Sequence, residues 1–160
     1  KHMQLAIKTI KDIFGSRPLG WYTGRCSPNT RDLVFDDGGF LYDSDSYSDD
    51  LPYWEFKGKK KQLIIPYTLD NNDMRFATNQ GFNSGEQFFT YLKDSFDALY
   101  EEGKNNPKMM SVGLHCRLIG RPGRIQSLRK FLDYVLKHQE VWICKRIDIA
   151  KYWIKHYSNI

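Results

Sequence analysis

The residues best suited to chemistry stand just after apolar stretches. His115 follows the run from Met109 to Leu114 and precedes Cys116 and Arg117, and an imidazole placed there can donate a proton to a substrate or accept one near neutral pH. Arg25 follows Leu19 to Thr23, Asp43 and Asp45 follow Phe40 to Tyr42, and Asp70, Asn72, Asp73 and Arg75 follow the run from Gln62 to Pro66. Arg25 and Arg75 suit a planar, bidentate partner such as a carboxylate or a ureido group, and suit structural ion pairs almost as well. Trp21 and Tyr22 lie near the same chain ends and can shape a pocket, whereas Asp49 and Asp50 read as turn formers. Cys116 adjoins His115, but neighbours on a strand face opposite ways, so it is expected to pack rather than to act as a nucleophile.

The elements that must position these groups can be read from periodicity. Met3, Ile7, Ile10 and Phe14 share one helical face, stopped by Gly15. Ser27 and Pro28 suggest an N-cap and first-turn proline for a helix ending near Gly38 and Gly39. Ser84 and Gln87 make a capping-box pair, opening a helix that buries Phe88, Phe89, Leu92, Phe96 and Leu99 and ends at Gly103. Further helices are expected over 121–139 and 147–157, and strands over 19–23, 40–42, 62–66, 109–114 and 141–144.

Helix and strand in alternation imply crossovers onto a largely parallel sheet, in which catalytic groups collect on loops at the C-terminal ends of strands. The expected fold class is therefore α/β. About five strands are legible where a closed barrel of this kind has about eight, so the chain is expected to be incomplete. With no repeat or separating linker, residues 1–160 are read as one domain or partial domain.

Composition narrows the classes further. With 41% apolar and 15% aromatic residues the chain can bury a core. No apolar stretch approaches the ~20 residues of a membrane span and no signal-peptide pattern is present, so a cytoplasmic protein with no membrane partner is expected. The three cysteines, Cys26, Cys116 and Cys144, form no disulfide framework and no paired zinc spacing. The net charge of +5 gathers densely only at Lys57-Gly58-Lys59-Lys60-Lys61, which reads as a solvated loop, and no nucleic-acid partner is expected. Met109 and Met110 read as core filling, and Trp54, Trp142 and Trp153 as packing residues.

Longer segments resemble a known family. Gly20-Trp21-Tyr22-Thr23-Gly24-Arg25, Ser27-Pro28-Asn29-Thr30-Arg31 and Gly39-Phe40-Leu41-Tyr42-Asp43-Ser44-Asp45 resemble the allantoinase, or urate-catabolism, branch of the polysaccharide deacetylase superfamily. Asp49 to Trp54, Pro66 to Asp70, Asn72 to Phe76 and Gly113 to Arg124 are similar to the same branch. The resemblance covers nearly the whole chain and implies the C-terminal part of a deformed (β/α) barrel of the NodB-homology type. It places Arg25 at the superfamily's third-motif arginine, Asp43 and Asp45 in the fourth motif and His115 at the fifth-motif histidine. The first motif, with its catalytic aspartate, and the second, with its paired histidines, would lie upstream of this sequence.

The implied activity is hydrolysis of a non-peptide C–N bond, the opening of allantoin to allantoate in purine breakdown. His115, Arg25 and Asp45 are the expected catalytic residues. Trp21, Tyr22, Asp43, Asp70, Asn72, Asp73, Arg75 and Arg117 are the expected substrate-binding residues, for a small ureide or amide. No cofactor is expected and no catalytic metal: His2 has no partner histidine near it, and the allantoinase branch is regarded as metal-independent. A carbohydrate N-deacetylase acting on chitin-like or peptidoglycan-like chains, and an inactive fragment, are the alternatives. An open parallel edge and bared apolar surface lead us to expect a homo-oligomer.

Overall fold

Helices form where apolar residues recur at helical spacing between clear stops. In a computed structural model that describes residues 1–158, the chain forms two compact units, Lys1–Pro66 with Cys144–Ile160, and Tyr67–Ile143. In the first unit α1 spans His2–Phe14 and ends on Gly15, whose positive φ of 76° lets its N–H close onto the carbonyl of Lys11. Ile7 of α1, Val34 and Phe40 form the core there, with Met3 and Trp21 packed against them.

The sheet of this unit has four strands, β1 (Gly20–Trp21), β2 (Tyr42–Asp43), β3 (Tyr53–Lys57) and β4 (Lys60–Ile64), in the order β1-β2-β4-β3. The first three in that order run parallel and β3 runs antiparallel to β4, so the architecture is mixed α/β with a largely parallel sheet, as the sequence implied. Leu63, Ile64 and Ile65 are completely buried, as in a parallel sheet covered on both faces. Between β1 and β2 lies α2 (Thr30–Asp37), and the unit closes with α6 (Arg146–Tyr157). Nη1 of Arg146 donates to the carbonyls of Ile65 and Pro66, both at 3.0 Å, and Nε1 of Trp54 donates to the carbonyl of Tyr157 at 2.7 Å.

Several local expectations are corrected. The second strand is Tyr42–Asp43, because Phe40 turns inward to meet Trp21 edge-on at 5.3 Å. The second helix begins at Thr30, with Ser27 and Pro28 in a preceding turn where the hydroxyl of Thr30 accepts from the Ser27 N–H. The lysine run is the turn of the β3–β4 hairpin, made possible by Gly58 at φ 61°, and its charges are partly paired: Lys57 with Asp32 at 2.8 Å, Lys60 with Asp36 at 3.5 Å, and Lys61 over the Trp54 ring at 4.5 Å.

The second unit is helical. A 3₁₀ turn over Asp73–Ala77 is followed by α3 (Gly85–Gly103), α4 (Cys116–Ile119) and α5 (Pro122–Val135). Ser84 caps α3 by accepting from the N–H of Gln87, whose own side chain reaches the N–H of Asn83 rather than that of Ser84. Phe88, Leu92 and Phe96 of α3 meet Phe131 and Val135 of α5 and Ile119 of α4 in one core; burying side chains of this size contributes about 1.5–3 kcal/mol each. Residues 109–114 and 141–144 are not strands: Gly113 makes a single parallel bridge to Asn72, and an apolar run without a continuous ladder stays irregular. Trp142, expected to pack, is exposed. Cys116 is exposed as well, since it opens α4 rather than continuing a strand.

Gly20 shows how tightly β1 and β2 fit. A Cβ on it would stand 2.1 Å from Cζ of the Tyr42 ring. Gly20→Ala is therefore expected to lower stability by roughly 1–3 kcal/mol, read as a reduced urea midpoint. Gly103→Ala, where a Cβ meets open space, should leave that midpoint unchanged or raised; equal behaviour of the two variants would contradict this packing.

Candidate active site

Asp73 organises the second unit's polar cluster. Asn72 is extended and caps the 3₁₀ turn, accepting from the N–H of Met74 at 2.9 Å, and this places Asp73 in the first position of the turn. The Asp73 side chain is completely buried, yet its charge is satisfied: Oδ2 accepts from the N–H of His115 at 2.7 Å and from that of Ile119 at 3.1 Å. Oδ1 stands 2.7 Å from Nδ1 of His115. A carboxylate oxygen can only accept there, so Nδ1 carries the hydrogen and Nε2 is left for another partner. The imidazole side chain is 30% exposed, which suits a group that must meet a ligand. The result is an oriented Asp–His pair, the arrangement that fixes a histidine's tautomer for proton transfer.

The other residues expected around His115 have defined places. The amide of Asn72 donates to the carbonyl of Thr68 at 3.0 Å, so it is committed to holding the loop. Gly113 allows this, because a Cβ there would fall 2.2 Å from Nδ2 of Asn72. Asp70 accepts from the Tyr91 hydroxyl at 2.5 Å, and that hydrogen bond to a carboxylate is the main reason the Tyr91 pKa is raised. The Arg75 guanidinium lies 4.6 Å from the Phe82 ring centroid and 4.4 Å from that of Tyr91, with Asp70 at 3.5 Å; it is held by cation–π contacts and one ion pair. Arg117 is exposed on α4.

The first unit holds a polar cluster of its own. Asp45 accepts from both the N–H and the hydroxyl of Thr23, from the N–H of Gly24 and from Nε1 of Trp21, at 2.7–3.1 Å. Its lone pairs are thus taken up in shaping the turn, where Gly24 needs its positive φ of 66°. Arg25 and Tyr22 are exposed on this turn, and the Tyr22 hydroxyl lies 3.4 Å from that of Tyr47. Asp43 is completely buried, accepts from the N–H of Asp45 at 2.8 Å and faces Arg31.

Arg31 is the residue that sequence reasoning missed as a partner. Its Nη1 stands 3.2 Å from Oδ2 of Asp43 and 2.9 Å from Oε2 of Glu55, near enough for charge attraction though not aligned as a hydrogen bond to either. Its Nη2 donates to the carbonyl of Asp45 at 3.0 Å. Burial raises the pKa of Asp43 above the usual aspartate value, against the lowering pull of the Asp45 N–H and of Arg31.

Among the described residues no group of three or more His, Cys, Asp and Glu side chains is placed to hold a metal ion. The imidazole of His115 is engaged with Asp73, and that of His138 packs against Phe96, Tyr100 and Tyr134.

Comparison with known proteins agrees with the fold and the motifs. No family model matches the chain. A crystal structure of a probable polysaccharide deacetylase from Pseudomonas aeruginosa PAO1 superposes with a TM-score of 0.94 at 59% identity, covering 98% of this chain and 53% of that one. A Schizosaccharomyces pombe protein with the provisional name polysaccharide deacetylase is 43% identical over 96% of this chain and 53% of its own length. A Mycobacterium smegmatis structure shares the fold alone, with a TM-score of 0.77 at 23% identity. Over nearly its whole length the chain is similar to proteins that carry the name polysaccharide deacetylase. Within that class it is similar to Puue allantoinase, whose crystal structure superposes with a TM-score of 0.94 at 58% identity, over 98% of this chain and 52% of that one. The chain spans about half the length of the relatives it matches.

The raised pKa of Asp43 has a consequence for stability. Its contribution is full below the unfolded-state pKa and is lost as pH rises through the higher folded-state pKa. Across that window, above the ordinary aspartate pKa, wild type should lose stability relative to Asp43→Asn, measured as the difference in urea midpoints. A difference that stays flat with pH would show that Asp43 is not the group responsible.

Proposed function

We propose that the protein containing this chain is a hydrolase of non-peptide C–N bonds that opens a cyclic ureide, with allantoin to allantoate as the reaction. The observation that carries the reading is the Asp73–His115 pair, held by hydrogen bonds at 2.7 Å, in a chain 58% identical to Puue allantoinase. Water adds to a ring carbonyl, and the carbonyl oxygen takes up negative charge. The tetrahedral species then collapses with cleavage of the C–N bond, and the departing nitrogen takes a proton. His115 serves as general acid at Nε2 or stabilises the oxyanion, while Asp73 fixes its tautomer and supports its protonated form. The carboxylate that activates water is assigned by the resemblance to the superfamily's first motif, upstream of this sequence.

Asp45 is assigned a positioning role, since its oxygens already hold Trp21, Thr23 and Gly24. Arg25, exposed on the turn it builds, offers a guanidinium to a planar polar group. A small polar substrate, with no helix of the described residues long and apolar enough to cross a membrane, fits a cytoplasmic site of action. A carbohydrate N-deacetylase is the second reading, favoured by the name of the Pseudomonas aeruginosa structure.

Allantoate release by the intact protein decides between them. Allantoin should be hydrolysed, and His115→Ala should lower kcat by about 10²–10⁴-fold. Asp73→Asn should lower kcat with little change in KM, because it frees the wrong tautomer without touching substrate. Release of acetate from N-acetylated sugar oligomers, with none of allantoate from allantoin, would replace the first reading with the second.

A further inference from the structure

The turn that carries Arg25 is held at both ends by one residue. The chain leaves β1 after Trp21, runs through residues 22–29 and enters α2 at Thr30. At the near end the carboxylate of Asp45 accepts from the N–H groups of Thr23 and Gly24, each at 2.9 Å. At the far end Nη2 of Arg31, in the first turn of α2, donates to the carbonyl of the same Asp45 at 3.0 Å. Residues 22–29 are all exposed between these two holds. The direction in which Arg25 presents its guanidinium is therefore set by where the two ends of the turn are fixed.

Asp43 fixes Arg31 in its turn. Nη1 of Arg31 stands 3.2 Å from Oδ2 of Asp43 and 2.9 Å from Oε2 of Glu55. Oδ1 of Asp43 accepts from the Asp45 N–H at 2.8 Å. Asp43, the Asp45 backbone and the Arg31 guanidinium thus close a ring in which each member holds the next. Asp43 is completely buried and the Arg31 side chain is 27% exposed, so the attraction between them is weakened little by water. The shape of the cation matters as well. A guanidinium directs donors to several acceptors at once from a rigid plane, whereas an ammonium is a point charge on a flexible stem.

We propose that Arg31 is a positioning residue that acts through Arg25: by gripping the Asp45 carbonyl it fixes the far end of the turn and so sets the Arg25 guanidinium against the planar polar group of the substrate. The inference rests on the hydrolase reading above, in which Arg25 meets the substrate, and adds a residue that reading does not use. Arg31 works without touching substrate, since its guanidinium is turned to Asp43, Glu55 and Asp45. Rates depend steeply on such placement, because a shift of about 1 Å in a substrate-orienting group can cost on the order of 10²-fold.

The test uses the intact protein and three variants: Arg31→Lys, which keeps a positive charge beside the buried Asp43, Arg25→Ala, and the two combined. Amide hydrogen exchange over residues 22–29 should be about tenfold faster in Arg31→Lys, with exchange in α3 and α5 unchanged. On allantoin, Arg31→Lys should lower kcat/KM by about 10–100-fold. Because that loss runs through Arg25, the double variant should be no slower than Arg25→Ala alone. Losses that multiply in the double variant would overturn the proposal, as would Arg25→Ala with wild-type activity. Exchange over 22–29 that stays at the wild-type rate in Arg31→Lys would overturn it too, and exchange that rises throughout the protein would assign Arg31 to the fold as a whole. Should wild type release no allantoate, the hydrolase reading fails while the exchange rates still decide whether Arg31 holds the turn.

Discussion

A negative charge without solvent around it is tolerated only when donors surround it, and the carboxylate of Asp73 shows what that requirement builds. Three N–H groups converge on it, two from His115 and one from Ile119, which lie more than forty residues further along the chain. Hydrogen bonds to a charged group contribute roughly 1.5–3 kcal/mol each, enough to fix the start of α4 and the Asn72 loop against one another. The histidine's orientation and tautomer then follow from the same charge. Gly113 is bare because the Asn72 amide passes over it, and Asn72 stays extended because its side chain caps the next turn.

The first unit solves a related problem by different means. Asp43 is buried with a single backbone donor and one guanidinium set at ion-pair distance, and its raised pKa records the shortfall. Asp45, two residues on, has donors in full, from Thr23, Gly24 and Trp21. Two neighbouring carboxylates thus serve separate ends, one balancing Arg31 and the other shaping the turn that carries Arg25. Burial is what raises the pKa of Asp43.

Much of the helical framework was legible in sequence, since α1, α3, α5 and α6 each pair a strong apolar period with an evident boundary: Gly15, Ser84, Pro122 or the run from Arg146. Strands were harder. Residues 109–114 are as apolar as a strand but receive one bridge, while Tyr53–Lys57, carrying Glu55 and Lys57, is paired along its whole length; ladder formation depends on a partner that local composition does not reveal. His115 and Asp73 could each be picked out from their places after apolar runs, but their contact depends on the bridge at Gly113. Arg31 sits on a polar helix face like many others, and only the buried Asp43 gives it meaning.

The first unit is discontinuous in sequence, and this bears on how the chain acquires its shape. The contacts of Arg146 with Ser44, Ile65 and Pro66 join positions 80–102 residues apart, whereas α3, α4 and α5 meet within one unbroken stretch, Tyr67–Ile143. Loop closure over such distances slows the contacts that depend on it. During synthesis, the helical stretch has all its own residues in hand before Arg146 emerges, so the carbonyls at the end of β4 wait longest for their donor. That order leaves the buried carbonyls at the end of β4 without their donor early, and nascent chains stalled before residue 146 are the species most exposed to misassembly.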